Sequence, residues 1–297
     1  MLVAAVASAA CLAGCGSGPS QVGSAAIIGQ TVVPLGETQQ RIDSALAKPG
    51  LLDQLKLQGD KAADISREVV SRAVQHVLLE EAARREKIRV TDDQVNAELT
   101  REGGADALVE ATIYDKDSVR GAVRDQLVSQ ALARKLLPKV TVTVDVTSAT
   151  SRQDAVAKAR KMASGPSGAA SVLAGDPRAQ RNLQLRASQV PQSAASFLFG
   201  TPAGSVVAAQ TSPAPDGWTV LRVTARSTTA PGGDPKASSV SRLDDSTLDD
   251  IGRRFTQPLA QELGVRVNPR YGVWDPLRLA VLAPGTPAGL VLPAILS

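Results

Sequence analysis

Residues 77–95, with the sequence VLLEEAARREKIRVTDDQV, hold the end of one predicted helix and the start of the next. Apolar side chains upstream recur in steps of one, three and four, which predicts a long amphipathic helix that Asp60 caps and that ends near Lys87. Thr91 and Gln94 have the spacing of a capping box and predict the next helix start. The apolar stripe of the long helix consists of Ile65, Val69, Val70, Ala73, Val74, Val77 and Leu78.

The flanking residues extend this helical region in both directions. On the N-terminal side, residues 24–29 predict a strand or extended arm, and residues 34–48 predict a helix that Pro49-Gly50 ends. On the C-terminal side, a fourth helix is predicted to begin at Asp117 or Ser118 and to end before Pro138. The first half of the chain is therefore expected to be an array of amphipathic helices.

The pattern changes after residue 139. Residues 140–144 alternate with period two and are rich in β-branched side chains, so they predict a strand. A helix at 151–162 and a loop rich in Gly, Ser, Ala and Pro up to Pro177 are expected to follow. Short strands or turns are then predicted at 197–199, 205–207 and 218–223. These features predict a small α+β module and give the chain an α+β fold class.

The C-terminal part begins with a linker at 228–239 that is rich in Thr, Pro, Gly and Ser. A helix is predicted next, which Pro258 should interrupt, and a strand is predicted at 265–267. The tail from Pro276 is apolar but is broken by several prolines, so no transmembrane helix is expected there. Apolar residues of the predicted helix recur at Leu248, Ile251, Phe255, Leu259 and Leu263.

The composition argues against a nucleic-acid partner. The net charge is +4 and the pI is about 9.2, but acids and bases are interspersed in near balance from residue 56 to 102. Aromatic residues make up only 2% of the chain, whereas single-strand binders stack bases on aromatic rings. The same scarcity means that the core is built from Val, Leu, Ile and Ala.

The N-terminus has the composition of a secretion signal. Residues 1–13 are uncharged and mostly apolar, a run too short to span a bilayer, although no basic residue precedes it. The run ends in Leu12-Ala13-Gly14-Cys15, which resembles the lipobox of bacterial lipoproteins, and a polar linker follows. The resemblance implies a lipid anchor on Cys15 at the extracytoplasmic face of the cell membrane. Cys11 is the other cysteine, so the mature chain has no thiol pair for a disulfide.

The order of the predicted parts resembles the extracytoplasmic foldases and chaperones of the SurA/PrsA type. The motifs that carry this resemblance are Ala26-Ile27-Ile28-Gly29, the passage at 77–95 and the ending at 267–274. The resemblance implies a helical chaperone domain built from the N- and C-terminal segments, which binds unfolded or secreted polypeptides without ATP or a cofactor. The candidate client-contacting residues are Val74, Leu78, Phe255 and Leu259, each of which is also a candidate for the core.

The middle module is similar in outline to a parvulin-type peptidyl-prolyl isomerase. Parvulins carry histidines on their first and last strands, but here the first strand has none and Thr219 stands at the last-strand position. We therefore expect a retained fold with no catalytic residue, although weak activity can arise from desolvation of the prolyl bond. The cleft candidates are Phe197, Trp218 and Thr219.

Other charged residues have structural interpretations. His76 is the only histidine, so a histidine dyad or a multi-histidine metal site is excluded, and a half-buried structural role is expected. The Asp pairs at 92–93 and 244–245 are expected to cap helices, and the pair at 249–250 to lie on exposed helix surface. A basic cluster is expected to be a solvated face, or else a contact with anionic lipid; it consists of Arg178, Arg181 and Arg186.

Two other functions remain open at the level of sequence. The first is an active prolyl isomerase, and the second is a solute-binding lipoprotein of a transporter. The predicted division of the chain is a signal peptide at 1–14, a lipidated tether at 15–24, a SurA-like helical domain at 25–138, a degenerate parvulin-like domain at 139–228, a returning helix and strand at 229–275, and an apolar irregular tail at 276–297.

Overall fold

The computed structural model describes residues 22–48, 51, 61–214, 217–231, 242–286 and 288–293. These residues form helices and antiparallel sheets in both halves of the chain, which confirms the α+β class. The lipobox at 12–15, the Pro49-Gly50 helix end, the Asp60 cap and most of the linker at 228–239 lie outside the described residues.

The N-terminal region begins with a β-hairpin and continues as helices. Its elements are β1 (Ser24–Ile28), β2 (Thr31–Pro34), α1 (Leu35–Leu46), α2 (Lys61–Glu86), α3 (Asp92–Arg101), α4 (Ala105–Ala111) and α5 (Val119–Leu136). The capping box of α3 is confirmed, because the Gln94 N–H donates to Thr91 Oγ1 over 3.3 Å and the Thr91 N–H donates to Gln94 Oε1 over 2.8 Å. Helix α4 was not predicted; it follows Gly104, whose φ is 98°.

The middle module contains more regular structure than its sequence suggested. Its elements are β3 (Thr141–Ala149), α6 (Arg152–Ala163), α7 (Pro166–Ala174), β4 (Gln180–Arg186), α8 (Phe197–Gly200), β5 (Ser205–Gln210) and β6 (Trp218–Ser227). The loop predicted up to Pro177 is wrong, since Pro166 occupies the first turn of α7, where its missing N–H costs nothing. The strand or turn predicted at 197–199 is one helical turn, and β4 was missed.

The C-terminal region packs against both the N-terminal region and the middle module. Its elements are α9 (Asp245–Phe255), α10 (Gln257–Leu263), β7 (Val265–Val267), β8 (Val273–Asp275), β9 (Ala280–Leu282) and β10 (Gly289–Pro293). The predicted interruption at Pro258 is confirmed, because the helix divides between Phe255 and Gln257. The prediction of an irregular tail from residue 276 is wrong: β9 and β10 both lie in it, and β10 pairs with β5.

Three antiparallel sheets connect these regions in the described part of the chain. Their strand orders are β2-β1-β7, β10-β5-β6-β3-β4 and β8-β9. In the first sheet Ala26 of β1 lies opposite Val267 of β7, so the two ends of the chain share a sheet. In the second sheet one face, which includes Val207 and Leu221, packs against α5 and α9. The other face, which includes Val206 and Val220, packs against α6 and α7.

Helices α5 and α9 approach each other closely enough for their backbones to touch. A Cβ atom added to Gly252 would lie 1.8 Å from the carbonyl oxygen of Ser129. Both residues are buried, and Leu248, Ile251 and Phe255 of α9 enter the core on either side of the contact. Gly252 therefore sets the distance between the returning helix and the N-terminal helices.

We expect Gly252→Ala to lower the free energy of unfolding by about 1–3 kcal/mol, because the added methyl group forces α9 away from α5. Chemical denaturation followed by circular dichroism measures this change. Gly121→Ala on α5 is the matched control: no atom lies within 4 Å of its added Cβ. That variant should be neutral or more stable by up to about 1 kcal/mol. Equal stability of both variants would contradict the close contact.

Candidate functional site

A large cavity lies between helices of the two chain ends. It has a volume of about 740 Å³ and is partly open to solvent. Helices α2, α4 and α5 line it from the N-terminal region, and α9 and β9 line it from the C-terminal region. We call this cavity the interhelical groove. Its size falls in the range of about 300–1,000 Å³ that is typical of ligand pockets.

Apolar side chains form much of the groove wall. Ile65, Ile113 and Val123 are buried at its base, whereas Leu108 and Ala122 are half-buried and border the open space. Such a wall can take apolar side chains out of water, with a gain of about 25 cal/mol for each Å² removed. Small and branched residues dominate this surface. We therefore expect the groove to select only weakly for the shape of a bound side chain.

Charged side chains of the groove are paired with one another. The Arg72 Nε–H donates to Glu68 Oε1 over 2.6 Å, and the Arg253 Nε–H donates to Asp249 Oδ2 over 2.9 Å. Arg253 Nη1 also donates to the side-chain oxygen of Gln75 over 2.8 Å. Four carboxylates and three guanidinium groups line the groove altogether. Because negative and positive charges nearly balance, the groove does not favour a polyanion as its ligand. Its polar groups can instead act as hydrogen-bond donors and acceptors for an uncharged polar chain.

A second cavity of about 250 Å³ adjoins the groove. Several residues line both cavities and form their junction: Arg72, Ile113, Tyr114, Ala122 and Arg253. Burial raises the pKa of the Tyr114 hydroxyl, and the nearby guanidinium groups of Arg72 and Arg253 offset part of that rise. The phenol therefore stays neutral at physiological pH and can act as a hydrogen-bond donor to a ligand.

His76 borders the second cavity and connects two helices. Its Nδ1 lies 2.9 Å from both carboxylate oxygens of Asp125 on α5, and its Nε2 lies 3.4 Å from Glu80 Oε1. The hydrogen bond with Asp125 raises the pKa of His76 above its ordinary value of 6.5, although burial and Arg41 oppose the rise. The side chain is 44% exposed. The expected half-buried structural histidine fits this geometry, with a cross-helix ion pair that the sequence did not reveal.

The proposed client-contacting residues lie in the core. Val74 and Leu78 are fully buried, Phe255 is 5% exposed and Leu259 is partly buried. A client cannot reach these side chains unless the core opens, because neighbouring helices cover them. Their helical spacing reflects packing between elements of the core. The accessible surface lies instead along the interhelical groove.

The proposed cleft residues of the middle module do not converge. Phe197 packs on the sheet face that meets α5 and α9, whereas Trp218 packs on the opposite face with α6 and α7. The Thr219 hydroxyl lies 2.9 Å from the Thr211 hydroxyl. Since Phe197 and Trp218 are separated by the sheet, they cannot line one prolyl-binding cleft in this arrangement.

The remaining charged candidates behave mostly as expected. The Asp pair at 92–93 lies in the first turn of α3, and Asp244 caps α9 by accepting the Thr247 N–H over 2.7 Å. The expectation of exposed surface at 249–250 is wrong for Asp249, which is partly buried between Ser129 and Arg253. In the basic cluster, the Arg186 guanidinium donates to two backbone carbonyls while Arg178 and Arg181 are exposed.

Sequence reasoning missed the groove because its wall is assembled from distant positions. Arg72, Tyr114 and Arg253 come from different elements and share no motif. The one available signal was an arginine on the flank of the apolar stripe of α2, since a charged residue beside a core face needs partners. Among the described residues, no group of three or more His, Cys, Asp and Glu side chains could hold a metal ion.

We expect the His76–Asp125 pair to make stability depend on pH. Because the folded-state pKa is raised, the contribution is complete below pH 6.5 and is lost as the pH rises through the folded pKa. Solvent screening limits it to about 1 kcal/mol or less. Denaturation midpoints measured between acid and alkaline pH should show this loss in the wild type. His76→Gln should abolish it, and Asp125→Asn should reduce it to the part that Glu80 supplies; a loss of unchanged size in either variant would contradict the pair.

Comparison with known families identifies the N-terminal part of the chain. Residues 1–105 match the family described as "SurA-like N-terminal domain". The match supports an extracytoplasmic chaperone or foldase family, and a comparison with curated proteins gave no match. In the described residues no helix is both long and apolar enough to cross a membrane. The first 105 residues of the chain are therefore similar to the SurA-like N-terminal domain.

Proposed function

We propose that this protein is a chaperone of the cell envelope that holds unfolded or secreted polypeptides in the interhelical groove. Binding requires no ATP, and release follows from the low affinity of each contact. The observation that carries the proposal is the groove itself: a cavity of about 740 Å³ that the SurA-like region and the returning C-terminal segment line together.

The chemistry of the groove suits an extended polypeptide. An unfolded chain presents apolar side chains together with backbone carbonyl and amide groups that lack partners. The wall at Leu108 and Ala122 can receive the apolar side chains, and the guanidinium groups of Arg72 and Arg253 can donate to the backbone carbonyl oxygens. Because the charges are nearly balanced, the groove does not select strongly for the charge of the client.

Holding without isomerisation is the activity that the middle module favours. In a parvulin-like module, the two strands expected to carry histidines would be β3 and β6, and neither contains a histidine. Thr219 forms a hydroxyl contact with Thr211 and has no neighbouring base that the structure describes. We regard the module as a parvulin-like unit that supports the returning segment through β5 and β10.

The N-terminal motif supports a location at the outer face of the cell membrane. Cleavage before Cys15 and acylation of its thiol would leave a diacylglycerol anchor, which holds a protein stably where one acyl chain does not. The polar linker after Cys15 would act as a short tether. The protein would then meet polypeptides as they emerge from the membrane on the extracytoplasmic side.

We expect Ala122→Phe to weaken client binding about tenfold or more, because the ring fills the junction of the two cavities and removes the space for a side chain. The test uses the chain from residue 16 onward and measures its affinity for a fluorescently labelled, permanently unfolded client. Ala97→Phe is the matched control, since it adds the same ring to an exposed position on α3.

The same preparations should suppress aggregation of an unfolded client at stoichiometric amounts. The slow phase of a proline-limited refolding reaction should keep its rate. Acceleration of that phase by substoichiometric protein would show that the middle module is an active isomerase. Failure to suppress aggregation, with correctly folded protein, would remove the chaperone assignment; tight binding of a small solute would point to a solute-binding lipoprotein.

A further inference from the structure

We infer that a patch beside β7 and β8 docks on the surface of an anionic lipid bilayer. We call it the tether-side patch; a hollow of about 310 Å³ lies at its centre. The hollow is lined by Val265, Val267, Pro269, Gly272, Val273, Trp274 and Pro284. Val273 is 44% exposed and Trp274 is partly exposed. The inference rests on the proposed lipid anchor at Cys15.

The N-terminal chain enters the fold beside this patch. The Asn268 backbone N–H donates to the Ala25 carbonyl over 2.9 Å, and the Asn268 side-chain amide donates to the Ser24 carbonyl over 3.0 Å. These bonds hold the start of β1 against the residue that precedes Pro269. Val22, two positions before β1, is 91% exposed. The described chain therefore begins at the rim of the tether-side patch.

The length of the tether limits the distance between this rim and the membrane. Cys15 precedes Val22 by seven positions. A fully extended chain spans at most about 3.6 Å per residue, so a Cys15 anchor in the bilayer lies within about 25 Å of Val22. A shorter distance applies to any less extended tether. The tether therefore keeps the rim of the patch within about 25 Å of the anchor.

The side chains of the patch suit a lipid–water interface. An indole ring is favoured at such an interface because it is apolar with one polar N–H, and Trp274 supplies it. Arg270 is exposed, follows the lining residue Pro269 directly, and can place its guanidinium group among anionic headgroups. The Arg270 guanidinium lies 5.6 Å from the centre of the Tyr271 ring. Of the described residues that line the hollow, none carries a carboxylate.

The two tryptophans of the chain allow a direct test. Trp218→Phe leaves Trp274 as the only indole, and Trp274→Phe leaves Trp218, which is 9% exposed within the core. The lipidated protein is placed on vesicles of zwitterionic and anionic lipid whose acyl chains carry bromine, a contact quencher of indole. We expect the emission of Trp274 to fall about twofold relative to unbrominated vesicles, and that of Trp218 to stay constant.

The same samples separate the anchor from the patch. Flotation with the vesicles shows whether the lipid anchor attaches the protein to the bilayer. Quenching shows whether Trp274 of the patch contacts the acyl chains. Protein that does not float overturns both the anchor and this inference. Protein that floats with Trp274 unquenched overturns this inference alone. Arg270→Gln and Val273→Asp should each reduce the quenching of Trp274 while flotation is kept; unchanged quenching in either variant would also overturn it.

Discussion

The backbone contact between Gly252 and Ser129 is the constraint on which the arrangement of the protein depends. It lets α9 lie directly on α5, which brings Leu248, Ile251 and Phe255 into the core beneath the five-stranded sheet. A side chain at Gly252 would separate the two helices. The pairing of β7 with β1 adds a second connection between the ends of the chain. The N-terminal region is thus completed by residues more than a hundred positions away.

The packing of the C-terminal region against the N-terminal helices forms the candidate site. The N-terminal helices supply one side of the interhelical groove, and Arg253, Asp249 and β9 supply the other. The ion pair and the amide contact of Arg253 fix its side chain against α9 and Gln75 of α2. A groove that depends on both chain ends can exist only in the fully folded protein. Its polypeptide-binding capacity should therefore be lost together with the packing of α9.

Local sequence signals predicted the elements whose formation depends on nearby residues. The capping box at Thr91, the stripe of α2 and the break at Pro258 all came from spacings of a few positions, and the structure contains each of them. β4 and β10 were missed because both are edge strands of the sheet, where partners from elsewhere in the chain stabilise them. β4 carries mostly polar side chains, so it lacked the alternation of a half-buried strand.

The candidate site was the least predictable part. The apolar stripe was correctly recognised, but a stripe indicates a face that will be covered, and Val74 and Leu78 are covered by neighbouring helices. The groove runs beside that stripe, at positions such as Leu108 and Ala122 that have no distinctive spacing. Only the tertiary arrangement of α2, α4, α5 and α9 places these side chains around one cavity.

Site-specific photocrosslinking can show whether the interhelical groove holds unfolded polypeptide. A photoreactive residue replaces Ala111, an exposed residue that lines the groove, or Ala97, an exposed residue of α3 outside the groove lining. Each protein is irradiated with one defined client, either unfolded or native. We expect crosslinks from position 111 to the unfolded client alone, and excess unlabelled client should reduce them. Equal crosslinking from position 97, or equal capture of the native client, would contradict this expectation.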